Sequence, residues 1–266
     1  MTNIYTFLYN SITILFYVFY IYNNINTFIY NLFAIIAKKR LKMSFHVSFK
    51  INEKIYLRDP ESSEIGKMIV KSAIELINKL GFENFTFKKL ATEIQTTEAT
   101  IYRYFENKHR LLIYIAAWYW SWLEYQVNIH TNNIIEPDVK LRRVISILAS
   151  TVEDDASTSY VNESLLHQII IAEGSKAYLT KHVTEDNKDQ FFKSYKDLCL
   201  TISKIIIEYN PEYKYPKSLS SSIIEVAHFQ NFFLTNLPSL TDFKENKDNK
   251  LIVSFIEDFV FSSIRK

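Results

Sequence analysis

The stretch that most restricts how this chain can fold is residues 65–112, where apolar residues fall at helical spacing in three successive phases. Ile65, Met68, Ile69, Ala73, Leu76, Ile77 and Leu80 recur at three- and four-residue steps, which places them on one face of a first helix that Gly81 stops. Phe87, Leu90, Ala91 and Ile94 form a second stripe about two turns long, behind Thr86, whose hydroxyl can cap the free N–H groups. After a short polar turn Thr97 offers another cap. Ile101 and Phe105 then share a face, while Glu98, Thr100, Arg103 and Tyr104 point elsewhere. Two short helices joined by a tight turn and braced by a longer one are the arrangement that lays a helix into the major groove of DNA.

The same residues resemble the TetR/AcrR family of bacterial transcriptional regulators, in which a first helix, a glycine and a Thr-led second helix precede a third ending Thr-aliphatic-Tyr-x-Tyr-Phe-x-x-Lys. Here that ending reads Thr100-Ile101-Tyr102-Arg103-Tyr104-Phe105-Glu106-Asn107-Lys108, followed by Leu111-Leu112. The family usually has Gly-Val-Ser in the turn, where this chain has Gln95-Thr96-Thr97. If the turn needs a positive φ, Gln95 costs on the order of 1 kcal/mol relative to glycine.

The resemblance implies an all-α, TetR-like fold: an N-terminal three-helix DNA-binding domain followed by a helical ligand-binding and dimerisation domain. It implies a cytoplasmic repressor, a homodimer on a near-palindromic double-stranded operator, released by a small-molecule inducer of unknown identity. By the same resemblance Thr86, Thr100, Tyr102, Tyr104 and Lys108 contact phosphate, Lys88, Glu98, Ala99 and Arg103 face base edges, and Thr97 sits beside them at the cap. The chemistry suits these positions, since Arg can fork onto guanine, Glu can accept from cytosine N4 and an alanine methyl can meet the thymine methyl.

Composition agrees with long helices. Glycine and proline number only 3 and 5 in 266 residues, too few for a fold that turns every ten residues. A chain of this length accommodates two domains. The expected divisions are an extension over 1–42, an arm over 43–58, the reader domain over 59–123 with its motif at about 86–105, and the second domain over 124–266. Asp59-Pro60-Glu61 supplies a cap and a first-turn proline, so the first helix can open there. By the same resemblance the arm offers Lys50, Lys54 and Arg58 as cations for phosphate or the minor groove, the alternative being a disordered tail. Residues 38–112 hold fifteen Lys or Arg against nine Asp or Glu, a net +6, and the chain totals +2, so the residues beyond are net negative. That asymmetry fits a protein that meets phosphate with one domain only.

Residues 1–42 contain no Asp or Glu and are rich in Ile, Tyr, Phe and Asn, ending in Lys38-Lys39-Arg40. Three readings stand: AT-rich upstream DNA translated ahead of a true start at Met43, a membrane segment, or a signal peptide. Asn10 and Asn23-Asn24 interrupt the apolar run, leaving 11–22 as its cleanest part, shorter than the roughly 20 residues a span needs. A signal peptide would want a basic start and a small-residue cleavage site, and both are missing. The alternative function is accordingly a membrane-anchored scaffold or sensor, which fractionation and the native N-terminus would distinguish from a regulator beginning at Met43.

Beyond Lys108, Leu111, Leu112, Ile115, Ala116, Tyr119 and Leu123 continue in a long connector helix. Trp118 and Trp122, four apart and on a face with Tyr125, are candidates for lining a ligand pocket, although tryptophans at this spacing are more often structural core. Further helices are expected at 139–152, 163–173 and 188–209, with a loop at 154–159. In the apolar 163–173 helix His167 and Gln168 are polar exceptions able to orient a ligand, though a lone histidine there is more often a core residue. Two closing helices, 218–236 and 249–264, are more apolar than one buried face requires, and Phe229, Phe233, Phe255 and Phe259 are the side chains expected near a dimer interface, the alternative for some of them being the monomer core. The single Cys199 can form no internal disulfide. No His-Glu-x-x-His, Gly-x-Ser-x-Gly or phosphate-cradling glycine loop occurs, and the six histidines show no metal-ligand spacing, so neither an enzyme, a cofactor nor a metal is expected.

Overall fold

The computed structural model describes residues 47–150, 160–243 and 250–265. The readings of 1–42 and the loop expected at 154–159 fall outside them. The described residues are all-α: α1 Glu64–Asn84, α2 Phe87–Glu93, α3 Glu98–Tyr102, α4 Lys108–Thr131, α5 Pro137–Ala149, α6 Glu163–Glu173, α7 Val183–Lys188, α8 Lys193–Tyr209, α9 Pro216–Asn236 and α10 Lys250–Ser263. None of these helices is long and apolar enough to cross a membrane.

Helix α1 does not open at Pro60. Asp59 instead caps a single 3-10 turn, Pro60–Ser62, by accepting from the Glu61 N–H at 2.9 Å. Ser63 then caps α1 by accepting from the Gly66 N–H at 3.2 Å. Turn and helix pack so closely that a Cβ on Gly66 would lie 2.3 Å from the Pro60 carbonyl oxygen, which restricts this position to glycine. At the far end Gly81, with φ 74° and ψ 155°, breaks the helical path. Thr86, Thr97 and Asn107 cap α2, α3 and α4 through their side chains, as residues of these types do when N–H groups lack partners. Helices α1 to α3 close over Leu90, Ile101 and Phe105, all fully buried. Met68, expected on the buried face of α1, is exposed.

Helix α4, 24 residues and so about 36 Å long, runs from this reader into the rest of the molecule. It packs on α1, α5, α6 and α8. Being surrounded explains its aromatic residues on every side: Tyr114, Trp118, Tyr119, Trp120 and Trp122 are all buried. Helix α6 packs against α1 as well as α4 and α9, and α9 and α10 pack on each other and on α5. The described part of the arm, 47–58, packs against the molecule, with Lys50 left exposed. Ile51 and Ile55 are buried, Phe49 meets the Trp118 ring edge-on at 5.1 Å, and Lys54 pairs with Asp189 at 2.6 Å. Lys54 is therefore spent within the protein, and Arg58 lies over the Tyr104 ring at 5.3 Å.

Candidate functional site

The turn between α2 and α3 is built with a left-handed residue. Gln95 has φ 53°, the conformation that glycine adopts without cost, and its neighbour Thr96 closes the turn by donating to the Ala91 carbonyl at 2.9 Å. Thr97 then starts α3, accepting from the Thr100 N–H at 3.3 Å. Helix α3 is only five residues long, and Arg103 and Tyr104 lie in the turn that follows it.

Seven of the expected contact residues, Thr86, Lys88, Thr97, Glu98, Ala99, Tyr102 and Arg103, are exposed, and Thr100 is half-buried. Tyr102 stands against the Phe87 ring at 5.0 Å, and Arg103 reaches back to the Thr100 hydroxyl at 3.4 Å, so its guanidinium is held beside α3. Two residues are placed differently. Tyr104 is buried, with its hydroxyl 2.7 Å from that of Ser63 and its carbonyl accepting from the Leu57 N–H at 2.8 Å. It braces the reader from inside because Ile101, Tyr104 and Phe105 fall on one face of the short helix and its continuation. Lys108 is half-buried and donates to the carbonyls of Phe82, Glu83 and Phe85 at 3.0, 3.1 and 3.2 Å, with its ammonium 4.7 Å from the centre of the Phe82 ring. The helix ends at Asn84, just past the break at Gly81, which leaves those carbonyls without helical partners, and one ammonium satisfies all three.

The same break frees the Phe82 N–H, which donates to Glu173 Oε1 at the end of α6, 3.0 Å away. Lys176 bridges Glu173 and Glu83 at 2.7 and 2.9 Å. A second tie runs from the start of α4: Arg110 pairs with Asp186 of α7 at 3.1 Å and lies over the Phe191 ring at 4.2 Å.

Beside this second tie is a cavity of about 420 Å³, bounded by Ile113, Ala116, Ala117 and Trp120 of α4, by α7, and by Phe192, Tyr195 and Lys196 near the start of α8. The expected ligand residues do not line it. Trp118 and Trp122 are buried in the core, and Trp120, two positions from each, faces the cavity because two residues along a helix turn the side chain to nearly the opposite side. Gln168 is exposed. His167 is buried, where its Nδ1 lies 2.8 Å from the Tyr119 hydroxyl, and His228 Nε2 lies 3.2 Å from that same oxygen. Burial pushes His167 down to about 4. Burial, together with the neighbouring His167, pushes His228 down to about 3. Both rings are therefore neutral core groups, and His228 stacks behind Trp120 at 5.4 Å. This pair, brought together from α6 and α9, has no signal in the spacing of the sequence. Among the expected interface residues Phe229, Phe255 and Phe259 are exposed and Phe233, half-buried, stacks on Phe229 at 5.9 Å.

Two capped helices joined by a tight turn, with cationic and hydroxyl side chains on the open face, define a helix-turn-helix DNA reader. Residues 69–115 match the family model for bacterial regulatory proteins of the tetR family. Residues 69–115 therefore carry the DNA-binding domain of tetR-family transcription regulators, and the chain is similar to that family through this domain. No curated protein matches the sequence. Solved structures of similar fold include a tetR-family regulatory protein from Rhodococcus RHA1, at 10% identity and TM-score 0.54, covering 76% of this chain and 97% of that one. AibR in complex with isovaleryl coenzyme A and operator DNA matches at 16% identity and TM-score 0.52, covering 73% and 97%. The superantigen PfiT matches at 14% identity and TM-score 0.50, covering 74% and 97%. At such identities the likeness establishes the fold and not the activity.

Proposed function

We propose that this protein is a ligand-responsive repressor that binds a near-palindromic operator as a homodimer. The observation that carries the reading is the position of the 420 Å³ cavity: Val183, Thr184 and Asn187 of α7 line it, and Asp186 of the same helix pairs with Arg110, at the start of α4 just after the helix-turn-helix motif. A ligand that displaces α7 acts on Arg110, and through α4 on α3, by a differential contact of the kind that coupling between sites requires. The AibR complex, which holds both isovaleryl coenzyme A and operator DNA, makes joint binding of ligand and DNA reasonable for this fold.

In this reading Lys88, Glu98, Ala99 and Arg103 face base edges, while Thr86, Thr100 and Tyr102 contact phosphate. Arg103→Ala relaxes base preference at one position in each half-site and costs roughly 1–3 kcal/mol there. The exposed aromatic residues of α9 and α10 form the two-fold interface that sets the half-site spacing. Fluorescence anisotropy with DNA from upstream of the gene, titrated with and without a compound library, tests the whole reading. A protein that binds this DNA no better than random duplex at several salt concentrations refutes the operator, and tight binding that no compound relieves refutes the ligand response.

A further inference from the structure

We propose that the cavity between α4, α7 and α8 takes an organic cation with an apolar body, its charge held by an aromatic wall and by the carboxylate of Glu225 behind it. The inference rests on the reading of this cavity as the effector site. Trp120, Tyr178, Phe192 and Tyr195 line it, together with Phe191, one face of which already carries the Arg110 guanidinium, itself paired with Asp186. Ring faces carry the negative side of the aromatic quadrupole and attract cations, most strongly where water is excluded. Two of these rings share one anionic anchor. Tyr178 and Tyr195 both donate their hydroxyl protons to Glu225 Oε1, at 3.3 and 2.9 Å, which enriches their rings in electron density and leaves only lone pairs on their oxygens for a ligand. Burial, with the Glu225 charge next in size, pushes Tyr178 up to about 12 and so keeps it a neutral donor.

Glu225, on α9, is half-buried, and among the described residues it forms no ion pair with a Lys, Arg or His. A half-buried carboxylate without a cationic partner raises the affinity of its surroundings for a positive ligand. The formal charge among the described lining residues is Lys196, and it has the opposite sign. Lys196 is exposed, however, and its ammonium bonds Asn187 Oδ1 at the rim. The Lys196 ammonium is turned to Asn187 and to water, whereas the Glu225 carboxylate is coupled to the cavity wall through the two tyrosine hydroxyls that bond it. Glu225 therefore sets the preference.

The test is isothermal titration calorimetry on the full chain without DNA, using hexyltrimethylammonium, heptanoate and hexanol, probes of similar length and different charge. The cation is expected to bind about tenfold or more tightly than either of the others. Glu225→Gln, which keeps the side-chain shape, is expected to remove that preference and leave hexanol binding within about twofold of wild type. The proposal is overturned if the wild-type protein binds heptanoate or hexanol as well as the cation, if it binds none of the three, or if the preference survives Glu225→Gln. Since no DNA is present, a cation that binds here but fails to release an operator refutes the effector reading and leaves this one standing.

Discussion

Replacing Lys108 by methionine separates two roles that a basic residue at the end of the DNA-reading motif can have. The resemblance to the family places it on phosphate, whereas the structure turns its ammonium inward onto the carbonyls of Phe82, Glu83 and Phe85. Methionine keeps the aliphatic stem over the Phe82 ring and removes only the donor. Hydrogen bonds to a charged group are each worth about 1.5–3 kcal/mol, but the Glu83 contact is exposed and water can replace it. Two part-buried carbonyls and a cation–π contact remain, so the expected loss is about 2–4 kcal/mol of folding stability, read by urea unfolding. A phosphate contact behaves otherwise: its removal flattens the dependence of log K on log salt by about 0.9 and leaves stability nearly unchanged. If Lys108→Met unfolds within about 0.5 kcal/mol of wild type and its salt slope is shallower by about that amount, the inward assignment is wrong.

Three further outcomes are expected. Gln95→Gly should stabilise the protein by about 0.5–1 kcal/mol in the same unfolding assay, since an exposed residue at φ 53° gives up little but strain; a loss of stability would mean that the Gln95 side chain has a role not visible in its contacts. His167 and His228 titrate at about 4 and about 3 when folded against roughly 6.5 when unfolded. Below pH 6.5 the unfolded chain takes up protons that the folded one refuses, so stability is full above that pH and falls as pH drops toward 4, by on the order of 3 kcal/mol for each histidine. A His167→Gln, His228→Gln double variant that keeps the wild-type fall between pH 7.5 and 4.5 would rule these residues out as its source. Phe229→Asp and Phe255→Asp should yield monomers by sedimentation at micromolar concentration while circular dichroism still reports a folded chain; dimers in both variants would move the interface elsewhere on the surface.

The DNA reader was legible in the sequence because its signals are local. Caps at Thr86 and Thr97, a stop at Gly81 and the burial of Leu90, Ile101 and Phe105 each depend on residues within a turn or two, so side-chain period and hydroxyl placement suffice to place them. The need for a positive φ at Gln95 was local in the same way. What lay beyond the sequence is whatever depends on partners far along the chain. Lys108 faces inward because the carbonyls it serves, more than twenty residues earlier, return to it through the fold, and Tyr104 is buried because Ser63 comes to meet its hydroxyl. The described part of the arm is held against the protein because Asp189 and Trp118, far along the chain, come to meet Lys54 and Phe49. Helix α4 gave the least warning, since a helix surrounded on all sides has aromatics on all sides, and its sequence alone does not say which face meets a cavity. Packing chose Trp120 over Trp118 and Trp122. It also set Glu225 behind two tyrosines from other segments, a relation between residues 178, 195 and 225 that only the tertiary structure creates.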